Sequence, residues 1–111
     1  MPVNVAQYNN VAVLAVKEEL AGESVPAFVQ AAQKCLAEGQ CQIVVDGTHL
    51  EGLDSAGLEA LVDLQNQCEE RLGTVKLCHF DAVCSKILEI TRLSRRFEMY
   101  DDLESAVKSF A

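Results

Sequence analysis

Cys41-Gln-Ile-Val-Val-Asp46 is a short apolar run that ends in an acid, and Asp54-Ser-Ala-Gly-Leu58 follows it into an amphipathic segment. The first reads as a central strand and the second as a loop turning into a helix, with Gly47 to Leu53 as the loop between them. Leu58, Leu61, Val62, Cys68 and Leu72 then form the predicted inward face of that helix, and Gly73 its stop. Downstream, Thr74 to His79 alternates as a strand does. Val83, Ile87 and Ile90 mark a third helix face, and Phe97 to Tyr100 is a short strand. Asp101 or Asp102 caps a last helix with Leu103, Val107 and Phe110 inside.

Upstream, Val3 to Gln7 and Val11 to Val16 read as a hairpin turning at Asn9-Asn10, since asparagine tolerates left-handed backbone. The second arm is apolar enough to be buried on both faces. Ser24 is the expected cap of the next helix, with Pro26 in its first turn, Phe28, Ala32, Cys35 and Leu36 inside, and Gly39 as stop. The order β-β-α-β-α-β-α-β-α implies an α/β fold, a mixed, mainly parallel sheet with packed helices, in a single domain spanning 1–111.

The chain has 17 acidic and 9 basic residues, a formal charge of −8. A nucleic-acid backbone or an anionic membrane surface would repel that balance, and Arg92, Arg95 and Arg96 are too few to invert it. No apolar run nears the roughly 18 residues of a membrane helix, and Met1 to Asn10 has no signal-peptide pattern. The expectation is a cytoplasmic protein with no membrane insertion and no nucleic-acid partner. Its odd count of five cysteines, without a CxxC pair, fits reduced thiols, and no metal or other cofactor is expected.

Loops at the carboxyl ends of parallel strands form the usual binding edge of such folds, which draws attention to Asp46 through Leu58. Ser55 stands at the helix start beside Asp54, with Ala56 and Gly57 keeping its approach open. Ser55 or Asp54 is a helix cap, or Ser55 is a hydroxyl presented to another protein's active site, where the positive end of the helix dipole tolerates a phosphate. Catalysis by Ser55 is disfavoured: the residue two before it is Leu53 rather than the glycine of a nucleophile elbow, and only His49 or His79 could serve as base. Glycine-rich nucleotide loops are absent.

Ile43-Val-Val-Asp46 followed by Leu53-Asp-Ser-Ala-Gly-Leu58 resembles the signature of STAS domains, which include bacterial anti-sigma-factor antagonists. Gly73-Thr-Val-Lys-Leu-Cys78, Ile87-Leu-Glu-Ile-Thr91 and Phe97-Glu-Met-Tyr-Asp101 are similar to the rest of the family, so the resemblance covers almost the whole chain. It implies a non-enzymatic binding module in transcription regulation. Ser55 would be phosphorylated by a serine kinase that is itself the anti-sigma factor, and restored by a phosphatase. It carries Asp46, Thr48, Asp54, Ala56, Gly57 and Leu58 over as partner-binding positions. With the motif in register, the switch role of Ser55 is favoured over the cap alone. Two departures stand out. Antagonists usually have a Gly-Glu-Leu-Asp-like turn where this chain has Glu18-Glu19-Leu20-Ala21. Arg92 replaces a frequent glycine, which is expected to alter the turn before the last strand. The alternative is a constitutive STAS-type accessory subunit of a transporter or other complex.

Overall fold

A computed structural model describes residues 3–110; Met1, Pro2 and Ala111, the ends of the predicted 1–111 domain, lie outside the described residues. The sheet has five strands in chain order: β1 (Val3–Tyr8), β2 (Val11–Leu20), β3 (Gln42–Leu53), β4 (Thr74–Cys78) and β5 (Glu98–Tyr100). β1 and β2 are the antiparallel hairpin, turning at Asn9 with φ 58°, and every later pairing is parallel. The mixed α/β architecture predicted from the element order is the one observed. The helices are α1 (Val25–Ala37), α2 (Ser55–Glu70), α3 (Ala82–Ile90) and α4 (Leu103–Lys108), with 3-10 turns at Gly22–Ser24 and Leu93–Arg96.

Residues from α1, α2 and α3 share one apolar core with alternate residues of the strands, among them Phe28, Leu61, Leu64 and Leu88 against Leu14, Ile43, Val45 and Leu77. Complete burial of each such side chain contributes about 1.5–3 kcal/mol. The opposite face holds a smaller cluster, Val11, Val13, Val44 and Cys78, covered by Ala106, Leu103, Val107 and Phe110 at α4. β2 is thus buried on both faces, as its composition requires. At the end of α4, the buried Lys76 of β4 directs its Nζ to Ser109 Oγ at 2.8 Å and over the Phe110 ring at 4.3 Å.

Sequence patterning missed Gln65, which lies 2% exposed in α2. Its Oε1 accepts from Val75 N–H at 2.7 Å, and its Nε2 donates to the carbonyls of Val75 and Arg96. β5 pairs only from Lys76 onward. The Gln65 amide therefore takes the ladder bonds of Val75 where no strand lies alongside, as buried backbone groups demand.

Several expectations need correction. The segment 47–53 is strand, not loop: Lys17, Glu18, Glu19 and Leu20 pair with His49, Leu50, Gly52 and Leu53 across two register shifts. Glu18 sits at the second shift with φ 65°. Such bulges break the alternation by which strands are recognised. Ser24 does not cap α1; its hydroxyl donates to the Glu19 carbonyl at 2.6 Å and accepts from Ala21 N–H, serving the 3-10 turn. The inward face of α3 is Cys84, Ile87 and Leu88, while Val83 and Ile90 are 66% and 71% exposed. Both sets have helical spacing, and Asp81, accepting from Cys84 N–H at 2.7 Å, fixes how the chain enters the helix. Of the two acids before α4, Asp102 is the cap.

Gly39 ends α1 at φ 81°, with Gln40 N–H bonded to the Cys35 carbonyl and Gly39 N–H to that of Leu36. α2 ends the same way, but Leu72 is the residue in left-handed backbone, at φ 65°, and is 96% exposed rather than inward. Gly73 has a different reason: a Cβ there would lie 2.0 Å from the Cys41 carbonyl oxygen. Arg92 also takes φ 65°, so the exchange for glycine is absorbed as backbone strain. Left-handed backbone costs a non-glycine residue about 1–2 kcal/mol, part of which glycine returns as unfolded-chain entropy. Leu72→Gly is accordingly expected to stabilise the fold by about 0.5–1 kcal/mol, seen as a higher urea midpoint with an unchanged slope. A lower midpoint would mean that the Leu72 side chain makes a stabilising contact that outweighs its backbone strain.

Candidate functional site

The ends of β2 and β3 and the start of α2 are tied together at one place. Asp54 N–H donates to the Leu20 carbonyl at 3.4 Å. Its carboxylate accepts from Gly57 N–H at 2.8 Å, which caps α2, and from Gly22 N–H at 2.9 Å beyond β2. These two N–H groups hold the Asp54 carboxyl below the usual carboxylate range. The cap is therefore Asp54, and Ser55, the first residue of α2, is exposed with its hydroxyl excused from that role.

Gly57 is buried, and a Cβ on it would stand 1.9 Å from the Leu20 carbonyl oxygen. Its small size thus seats α2 on the end of β2; the open approach to Ser55 comes from exposed Ala56. Leu58 is 9% exposed and belongs to the core, so Gly57 and Leu58 fix the height of the edge from beneath. Asp54 borders an open depression of about 800 Å³ whose rim carries Glu18, Glu19 and Glu23 against the single cation Lys17. Sequence reading did not connect Gly22 or this acidic rim with Ser55. The signal was present in Glu18-Glu19-Leu20-Ala21, noted as a departure that bears on the partner-docking surface but not as an acidic rim.

Asp46 and Thr48 form a separate group further back along β3. Asp46 is half-buried; its Oδ1 accepts from Thr48 N–H at 3.0 Å and from Thr48 Oγ1 at 2.6 Å. Behind it, the Cys78 thiol is pushed up to about 12 by burial and then by the neighbouring Asp46 carboxylate. The structure joins Asp54, Ser55, Ala56, Gly57 and Leu58 at the α2 start, and Asp46 with Thr48 at another point. His49 pairs with Lys17 across the strands, and His79 follows β4 at φ 58°; neither is hydrogen-bonded to Ser55. Among the described residues no group of three histidine, cysteine or acidic side chains could hold a metal ion. No helix of the described residues is long and apolar enough to cross a membrane.

Gly57→Ala forces a Cβ onto backbone that cannot move aside, and is expected to destabilise the protein by about 2 kcal/mol or more. A denaturation midpoint equal to wild type would refute the close seating. Because the Asp54 carboxyl is depressed in the folded state, its stabilisation is complete above the unfolded carboxylate value, about 3.9, and is lost as pH falls through the lower folded one. Asp54→Asn keeps a capping oxygen but not the titration. Wild type should exceed this variant in stability at pH 7, and the gap should narrow below about pH 4; a pH-independent gap would mean that the Asp54 charge does not contribute.

The STAS domain family model matches residues 2–106. Known structures share the fold at low identity. An anti-sigma factor antagonist from Mycobacterium paratuberculosis is 23% identical, with TM-score 0.87 over 96% of this chain and 91% of the other. The Bacillus cell fate determinant SpoIIAA in its phosphorylated form is 15% identical, with TM-score 0.77 over 98% of this chain and 99% of the other. A sulfate transporter family protein from Wolinella succinogenes is 14% identical, with TM-score 0.79 over 94% of this chain and 87% of the other. No curated protein sequence matches this chain. The family match over nearly the full length, on the β-β-α-β-α-β-α-β-α fold just described, means that this chain belongs to the STAS domain family.

Proposed function

We propose that the protein is a non-enzymatic, phosphorylation-switched binding module of the anti-sigma-factor-antagonist type. Without phosphate on Ser55 it docks on a regulatory serine kinase that is the anti-sigma factor; with phosphate it lets go, and a phosphatase resets it. The observation that carries this reading is that Asp54 alone performs the capping, leaving the neighbouring hydroxyl exposed on a rigid helix start. Asp54, Ala56 and the edge set by Gly57 and Leu58 form the docking surface, with Asp46 and Thr48 as a second contact along β3. A phosphate adds about −1.5 to −2 charge. Beside Asp54 and the acidic rim it creates like-charge repulsion, and a misplaced charge in an interface costs several kcal/mol, orders of magnitude in affinity.

A second reading, a constitutive accessory subunit of a transporter, is favoured by the likeness to the sulfate transporter family protein. The two separate on Ser55 variants in complex with the co-purified partner. Ser55→Ala should bind that partner undiminished by ATP. Ser55→Asp, with one carboxylate in place of phosphate, should bind at least about tenfold more weakly than wild type. If ATP weakens Ser55→Ala as much as wild type, Ser55 is not the switch. A transporter ATPase as the partner, indifferent to both variants, would establish the subunit reading.

A further inference from the structure

Three of the cysteines gather far from Ser55. Ser55 opens α2, and Cys68 is third from its other end; Cys35 holds the same place in α1, and Cys41 directly precedes β3. One turn, Arg71 to Thr74, is bonded to two of them. The Cys68 carbonyl accepts from Arg71 N–H at 2.9 Å and from Gly73 N–H at 2.8 Å. The Cys41 sulfur lies 3.5 Å from the Arg71 carbonyl oxygen, and the Cys41 carbonyl accepts from Thr74 N–H at 3.0 Å. A Cβ on Gly73 would stand 2.8 Å from the Cys41 Cβ. Cys68 is 0% exposed, and half-buried Cys41 packs against the core cluster that contains it. Burial, then the neighbouring Cys41, pushes the Cys68 thiol up to about 12.

The two thiols differ in access. Cys41 lines an open depression of about 410 Å³ between the β1–β2 turn and the end of α1, walled by Asn9, Asn10, Glu38 and Gln40. Cys41 is partly open to solvent, whereas Cys68 is closed to it.

We propose that Cys41 and Cys68 are an oxidisable pair that a small disulfide of the glutathione class converts to a disulfide, clasping the start of β3 to the end of α2. The Cys41 thiolate attacks one sulfur of the oxidant, breaking its S–S bond, forming a mixed disulfide at Cys41 and releasing one small thiol. Cys68 then gives its proton to solvent and attacks the Cys41 sulfur, and the second small thiol leaves. Two electrons pass from the cysteine pair to the oxidant, which is reduced to two thiols. The high thiol value of Cys68 makes the second step the slow one.

The test is treatment of the full chain with oxidised glutathione, followed by non-reducing peptide mapping. The expected product has lost two hydrogens, carries a Cys41–Cys68 link and reverts with dithiothreitol. Cys41→Ser, a substitution at the half-buried member that keeps a donor for the Arg71 carbonyl, should abolish the link, and Cys35→Ser should leave it intact. A persistent glutathione adduct on Cys41, a Cys41–Cys35 link, cross-linking only between two chains, or no reaction would each overturn the proposal.

Discussion

Gly57 is the point on which fold and candidate site both rest. With no side chain there, the first turn of α2 lies directly on the Leu20 carbonyl at the end of β2. That contact brings Asp54 within reach of Gly22 N–H, so a single carboxylate joins the exit of β2 to the start of α2. The buried face of α2 follows from this seating: Leu61 and Leu64 enter the core, and Gln65 reaches the bare edge of β4. The exposed face follows as well, because a helix start held from beneath presents Ser55 in one orientation. Hydrogen-bond geometry, more than any special property of serine, makes the position suitable for a switch.

The pattern of strands and helices was legible because apolar periodicity reports the face that each element buries. It failed where two faces are nearly equivalent, as in α3, whose apolar residues line more than the side it uses. It failed again at 47–53, where bulges and a left-handed Glu18 spoil the alternation, although Leu50 is buried like any core strand residue. Glycines were found but partly misread. Gly73 and Gly57 are required by backbone close to their missing side chains, and such proximity is a tertiary fact with no local signal. Leu72 shows the converse, an apolar side chain turned to solvent because the helix end needs that residue in left-handed backbone.

For the site, the motif around Ser55 was legible, while the division of labour within it was not. Sequence gives Asp54 and Ser55 equal claim to the cap; only the positions of Gly57 N–H and Gly22 N–H assign it to Asp54. Asp46 and Thr48, close to that motif in sequence, bond to each other instead, since the extension of β3 carries the chain onward before α2 begins. The acidic rim was invisible for a similar reason: Glu18 and Glu19 meet Asp54 only through the long parallel pairing of β2 with β3.

The strand order follows the chain from β1 to β5, and this bears on how the sheet is assembled. Each strand lies beside the one that precedes it in the chain, so no pair is split by a strand from elsewhere in the sequence. Each closure spans only its own crossover, and the entropy of closing such a connection grows slowly with its length. The sequential order gives the fold tolerance in its connections: a longer crossover costs little closure entropy and leaves the other strand pairings unchanged.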